Sequence, residues 1–304
     1  MKLTQISHLL AIAEKGSVRA AARHLDVSQP QLTRSMQELE HELGVTLFER
    51  GTRGVVLTQA GQRFLVRAQT ISSEVRRAHE EIAQLQGDTA GLLQVCMSTV
   101  PHIALFPYAL KEFRARYPHV VMDLRDGVFP NAEPLLKSGT LDCYIGPVPD
   151  LPPGSDLIVE KLFDNTRVIM CRRGHPLRKA TSLKELKDAE WATTSVTHKA
   201  YEELGPLFAQ HGLPPPRLVM RAHSTLTYIT AIAYSDLLLM LPVQWAEFEI
   251  TRNALEIIKV KETLQAAPIC IVRRADLPLT PAAEYFCDMI RRASAHLLAA
   301  RGKV

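Results

Sequence analysis

At 304 residues, with 36 Lys/Arg against 32 Asp/Glu and a net charge of +4, the chain is ordinary in composition and too long for one comfortable domain, so two or three domains are expected. The charge excess alone does not point to nucleic acid, because the first 67 residues hold nine Lys/Arg and six Asp/Glu. No apolar run approaches a membrane span, and Met1 to Ala13 lacks the basic-then-apolar layout of a signal peptide, so a cytoplasmic protein with no membrane partner is expected.

In chain order, Leu3, Ile6, Leu9, Leu10 and Ala13 give a first amphipathic helix. Ser17 after Gly16 marks a new helix start, Ala20-Ala21-Ala22 allows close packing, and Leu25-Asp26-Val27 turns the chain into Ser28. There the signals converge: Ser28 is an N-cap, Pro30 suits the first turn, Gln31 completes an S-x-x-Q capping box, and Leu32, Met36, Leu39 and Leu43 form one apolar face. Gln29, Thr33, Arg34 and Gln37 project elsewhere and suit base edges and phosphates, whereas Glu38, Glu40 and Glu42 would repel DNA. The N-terminal half of this helix is therefore the reading end of a helix-turn-helix. Val45 to Thr58, two apolar strands around Gly51-Thr52-Arg53-Gly54, reads as a hairpin wing whose Arg50 and Arg53 reach a phosphate backbone or minor groove. A small helical bundle with a solvated hairpin is the bland alternative.

Thr58 to Gln86 contains no Pro and one internal Gly, which predicts a single long helix. Phe64, Ala68, Ile71, Val75, Ala78, Ile82 and Leu85 recur at alternating spacings of four and three, a heptad seam for a second copy of the chain. The alternative is a helix lying on its own domain, but about 29 residues at about 1.5 Å each exceed what the small N-terminal domain can cover.

After the polar break Gly87 to Gly91, strand candidates at 92–97, 120–124, 141–145, 167–171, 218–221, 237–241, 255–260 and 269–272 alternate with helical runs at 103–117, 132–138, 183–187, 201–211, 226–234 and 282–300. This alternation implies a largely parallel α/β module. Ligands in such sheets sit beyond strand carboxyl ends, beside helix N-termini. That rule selects Ser98, Thr99 and His102 after the first strand, Phe129 after the second and Gly146 after the third, then Ser195, Thr197, His223 and Ser224 in the later half. Ser98, Thr99, Ser195 and Thr197 offer hydroxyls to a carboxylate or sulfonate, although each also reads as a helix cap without a ligand. Five cysteines, Cys96, Cys143, Cys171, Cys270 and Cys287, show no C-x-x-C spacing, and eleven histidines form no ligand cluster. They predict buried reduced thiols, no metal and no cofactor. P-loop, G-x-G-x-x-G and G-x-S-x-G motifs are also missing, which argues against an enzyme.

The run from Leu9 to Thr58, with Ala20-Ala21, Ser28-Gln29-Pro30, Leu39-Glu40, Leu43-Gly44, Leu47-Phe48 and Arg50, followed by Ala60-Gly61, resembles the LysR-type transcriptional regulators, and the layout of the remainder agrees in length. The resemblance implies a winged helix-turn-helix domain over 1–60, a dimerising linker helix over 58–88, and an α/β effector module of two lobes like those of periplasmic binding proteins. Lobe I would comprise 92–163 and 268–304, and lobe II 164–267, with crossovers near Phe163 to Asn165 and Gln265 to Pro268. It implies DNA contacts from Gln29, Pro30, Thr33 and Arg34, with Arg53 along the backbone; Ser28, Gln37 and Arg50 complete the candidate set. Thr33 stands where serine is more usual in the family. The resemblance further implies a ligand-responsive regulator on an interrupted palindromic operator, a homotetramer built on linker-helix dimers, and RNA polymerase as a partner. A disulfide switch known from some relatives matches no cysteine pair here. Arg125 to Pro130 and Arg273 to Pro278 are similar to segments of regulators of arylsulfonate and aromatic-acid catabolism, which implies an aromatic anion as effector. A ligand-independent architectural DNA binder is the remaining alternative, and it leaves the α/β module without a role.

Overall fold

The computed structural model describes residues 1–51, 54–148, 154–194, 201–222 and 224–301. Met1–Asp88 with Leu135–Leu141 form one compact unit, and Thr89–Pro134 with the described residues from Asp142 onward form another.

The first unit opens with α1 (Leu3–Lys15), α2 (Val18–His24) and α3 (Gln29–Leu43). Each boundary follows its local signal. Gly16 and Gly44 close α1 and α3 in the left-handed conformation, while Ser17 and Ser28 accept the Ala20 and Gln31 amide N–H groups as N-caps. Ile6, Leu9 and Ile12 of α1 meet Ala21, Leu32, Met36, Leu39 and Leu47 in one buried cluster. The wing is an antiparallel hairpin of β1 (Phe48–Gly51) and β2 (Gly54–Leu57). It is tied to α1 where the Val55 N–H donates to the Gly16 carbonyl at 3.1 Å, and a Cβ at Gly54 would strike that same oxygen.

α4 (Gln59–Leu85) is the long helix, capped by Thr58, whose hydroxyl accepts the Gly61 N–H at 3.0 Å. Its first turn lies against the wing so closely that a Cβ at Gly61 would overlap the Leu47 carbonyl oxygen. The seam divides in two. Phe64, Ala68 and Ile71 pack into the core formed with α1 of the same chain, whereas Ala78, Ile82 and Leu85 stay exposed. On another face the buried Arg77 donates to the Leu141 carbonyl at 2.9 Å and to Glu74 at 2.8 Å.

The second unit contains β3 (Ala90–Met97), α5 (Thr99–Ala104), α6 (Phe106–Arg116), β4 (His119–Asp126), α7 (Phe129–Lys137, except its last three residues), β5 (Cys143–Pro147) and the 16-residue β6 (Leu157–Arg172). These are followed by β7 (Glu190–Thr194), α8 (Tyr201–Gln210), β8 (Arg217–Ala222), α9 (Thr225–Ala233), β9 (Leu239–Pro242), α10 (Gln244–Glu247), β10 (Leu255–Ile258), β11 (Gln265–Arg274) and α11 (Pro281–Arg301). The expectation of a largely parallel sheet holds for β3 with β4 and β5, and for β7 with β8. It fails at the long strands, because β11 pairs antiparallel with both β5 and β6, and β6 pairs antiparallel with β9 and β10.

β6 and β11 run together from one core to two others. One core packs β3 and β5 against α6 and α11, around Phe113 and Phe286. Beyond the crossing lie a core around Trp191 and Phe208 and another around Tyr228, Trp245 and Leu241. The β6–β11 ladder slips between Ala266 and Ile269, opposite Asn165 and Phe163, so the pairing is interrupted where the chain passes from one core to the next. α5 and α6 break at Leu105 instead of forming one run, residues 183–186 are a 3₁₀ turn, and β7 and α10 were not anticipated. All five cysteines are buried free thiols; burial pushes the pKa of the Cys96 thiol up to about 11 and that of Cys171 to about 12, and the neighbouring Cys287 together with burial raises that of Cys143.

Candidate functional site

On α3 the apolar stripe faces inward, and Gln29, Pro30, Gln31, Thr33, Arg34 and Gln37 are exposed. At 100° per residue, Arg34 stands opposite the buried stripe, flanked by Pro30, Gln37 and Glu38. The three glutamates expected to repel DNA each have a partner. Glu38 accepts from the Arg34 Nε at 3.1 Å; Glu42 accepts from the Met1 ammonium; and Glu40 accepts the Leu47 and Phe48 amide N–H groups at 2.7 and 3.1 Å. Glu40 therefore ties the wing to the reading helix. His8 Nδ1 meets the Ser35 hydroxyl at 2.8 Å, fixing α3 on α1. Arg50 lies in β1 opposite Val55, and Arg53 falls outside the described residues.

A cleft of about 290 Å³ opens where β6 and β11 cross. Its walls come from both sides of the crossing: Ser98, Thr99, Asp126 and Asn131 on one, and Arg167, Thr225, Tyr228 and Trp245 on the other, with Asn165, Ala266 and Ala267 between them. Apolar surface from Val100, Val128, Met240, Leu241 and Ile269 fills the remainder. The sides touch through polar groups: the Tyr228 hydroxyl meets Thr225 Oγ1 at 3.3 Å and the Thr99 side chain, and Thr225 Oγ1 reaches Asp126 at 3.5 Å. Asn165 Oδ1 accepts from Gln244 at 2.9 Å. The Ser98 hydroxyl and the Trp245 indole N–H are buried without a partner.

Gly146 is beside the cleft rather than in its wall. Its missing Cβ leaves room for the Tyr144 hydroxyl and for Ser98 Oγ, 2.8 Å from where that carbon would lie. Phe129 is likewise core, edge-on to Tyr144 at 5.7 Å. His102 faces Phe106 at 6.1 Å, and burial lowers its pKa. Ser224 is the exposed N-cap of α9. Ser195, Thr197 and His223 lie outside the described residues.

Comparison with known families matches residues 3–62 to the bacterial regulatory helix-turn-helix of the lysR family and residues 86–295 to the LysR substrate binding domain. The chain belongs to the LysR family of transcriptional regulators. It is 31% identical over 294 residues to the SDS degradation transcriptional activation protein of Pseudomonas sp. (strain ATCC 19151), covering 95% of each chain. The fold is shared with the LysR regulator CbnR, at a TM-score of 0.71 and 23% identity over 97% of this chain and 99% of that one. Full-length CbnR in complex with its target DNA gives 0.72 and 23% over 96% and 100%. LysR proteins regulate transcription and are not enzymes, so the α/β-enzyme alternative falls and the chain is a DNA-binding, ligand-responsive LysR regulator. Among the described residues no helix is long and apolar enough to cross a membrane.

Of the residues lining this cleft, Ser98 and Thr99 are among those the sequence singles out, and Asn165, Arg167, Thr225, Tyr228 and Trp245 are not. Trp245 had a signal: it follows the carboxyl end of the 237–241 strand, where the same rule applies. Asn165 and Arg167 sit inside a strand that the sequence reading began at 167.

Proposed function

We propose that this regulator binds an interrupted palindromic operator as a homotetramer assembled from linker-helix dimers, and that a small, preferably aromatic, anion in the cleft sets its response. The observation that carries the DNA assignment is the exposed polar face at the N-terminal half of α3, where Gln29, Thr33, Arg34 and Gln37 stand to meet base edges while Arg50 and Arg53 follow phosphates; Glu40 and Glu42 are turned to the Leu47 and Phe48 amides and the Met1 ammonium, and Arg34 exchanges its exposed ion pair with Glu38 for DNA. The exposed Ala78, Ile82 and Leu85 support pairing of α4 with a second copy. Two copies present two reading helices, which favours half-sites about one helical turn apart or a multiple of it.

For the effector, Ser98 and Thr99 supply hydroxyls, Arg167 supplies positive charge, and the apolar wall takes a ring or short chain. A relative named for SDS degradation agrees with an oxyanion head group. Ser195, Thr197, His223 and Ser224 remain candidates. RNA polymerase is the proposed partner of the operator-bound form, and the cytoplasm its place of action. Duplexes selected from a random library by the full chain should show inverted half-sites, and a thermal-shift screen should respond to aromatic carboxylates or sulfonates. Single half-sites, or stabilisation by neutral sugars alone, would contradict this reading.

A further inference from the structure

Five buried side-chain polar atoms among the described residues have no hydrogen-bond partner, and four of them belong to two neighbouring elements. Ser98 Oγ and His102 Nε2 lie at α5, and Gln244 Oε1 and Trp245 Nε1 at α10; the fifth, Trp191 Nε1, is in the core around Phe208. α5 and α10 come from opposite sides of the β6–β11 crossing and pack on each other, and Ile103 of α5 inserts into the core that contains Trp245. Cores normally satisfy such atoms, since an N–H or O–H that loses water and gains nothing is a direct cost to the fold. Their concentration at one junction therefore needs a cause. Ser98 and Trp245 also line the cleft, 6% and 3% exposed.

Among these four atoms Gln244 Oε1 only accepts and His102 Nε2 takes either role, but neither residue lines the cleft, and what Trp245 and Ser98 bring to the cleft wall can donate. An indole N–H only donates. Asn165 spends its carbonyl oxygen on Gln244, so its amide N–H₂ is what it has left to offer a ligand. Arg167 only donates as well, and the Ser98 hydroxyl turns either way. The carboxylate among the wall residues, Asp126, is solvent-exposed and engaged by Thr225. Such a wall suits a ligand rich in acceptors.

We infer that Trp245 is a specificity-determining residue of the effector cleft, donating its indole N–H to an oxyanion of the ligand while Ser98 donates its hydroxyl from the opposite side. The ligand class is a carboxylate, sulfonate or sulfate ester on a small apolar body. This rests on the cleft being the effector site and goes further, because it makes a ligand oxygen the partner that closes α5 and α10 together. A ligand without such an oxygen fills the cleft but leaves both donors as they are, so it gains nothing from the junction.

The test uses the full chain with four probes: benzoate, benzenesulfonate, octyl sulfate and, as the uncharged control, benzyl alcohol. Calorimetry on the wild type identifies which anion binds. Trp245→Phe keeps the ring and removes the N–H, so it should weaken that anion tenfold or more, as should Ser98→Ala, while benzyl alcohol binds both variants as it binds the wild type. The combined variant should lose less than the product of the single losses, because both donors serve one ligand. Trp191 and Trp245 are the only tryptophans, and Trp191 is sealed in its core, so saturating anion should change wild-type emission through Trp245. A folded Trp245→Phe protein that binds the anion within threefold of wild type would overturn the assignment. So would unchanged wild-type emission at saturation, which can be read even if the variant fails to fold. If benzyl alcohol binds the wild type and none of the three anions does, the anionic effector class fails too; if nothing binds, the cleft reading falls with it.

Discussion

Glu40→Ala should loosen the wing from the reading helix. Glu40 is half-buried near the C-terminus of α3, and its Oε1 accepts two amide hydrogens, from Leu47 at 2.7 Å and Phe48 at 3.1 Å. Hydrogen bonds to a charged acceptor contribute about 1.5–3 kcal/mol each, and water reaching a half-buried site recovers part of that, so truncation should cost about 2–4 kcal/mol. Leu47 is core, and its carbonyl is the oxygen on which Gly61 of α4 rests, so the loss falls on the junction of wing, reading helix and linker. At about 1.4 kcal/mol per tenfold, hydrogen exchange of the Leu47 and Phe48 amides in the full chain should accelerate roughly thirtyfold to several-hundredfold, ahead of the α1 amides. Glu40→Gln keeps one neutral acceptor and should fall between. Affinity for selected and random duplexes should drop together, as a displaced wing loses sequence-independent phosphate contacts. Exchange within threefold of wild type would refute the anchoring role.

The exposed half of the α4 seam should carry assembly: Ile82→Asp removes apolar burial worth about 3–6 kcal/mol over two copies and adds a charge, so light scattering should show dissociation with α1 to α3 intact. Ile71→Asp should instead unfold the DNA-binding unit, because Ile71 packs against that unit's own core. An Ile82→Asp protein that remains assembled would move the contact elsewhere. Burial lowers the pKa of His102 from 6.5, with Asp126 opposing, so the unfolded chain binds the proton more readily; stability of the second unit is full above about pH 6.5 and declines as pH falls below it. His102→Phe, which keeps a ring beside Phe106, should flatten that decline in urea titrations, and an unchanged slope would assign it to other groups.

Much of the fold was legible because its signals are local. The Ser17 and Ser28 caps, the Gly16 and Gly44 stops and the Leu32–Met36–Leu39 stripe each act within a few residues, and each boundary appears where its signal stands. What was hidden depends on pairing across the chain. Glu40 reads as a surface acid until β1 is placed beside it. Phe64 and Ile71 read as a seam for a partner because a heptad does not say whether its first turns face another copy or α1 of the same one. The length of β6 and its antiparallel pairing with β11 come from strands about a hundred residues apart, and with them went Asn165 and Arg167. Ser98 and Thr99 were found because strand ends are visible in sequence, whereas Trp245 sits after a four-residue strand and needed the same rule applied once more.

Sequence reading by α3 through Gln29 and Arg34 is decided by the affinity of wild-type, Gln29→Ala and Arg34→Ala proteins for a selected duplex and a random duplex across a salt series. Each of the two variants should lose about 1–3 kcal/mol on the selected duplex and relax its preference at one base pair, with little change on random DNA for Gln29→Ala, whereas Arg53→Ala should weaken both duplexes alike and flatten the salt dependence. Equal losses on selected and random DNA for Gln29→Ala and Arg34→Ala would contradict it.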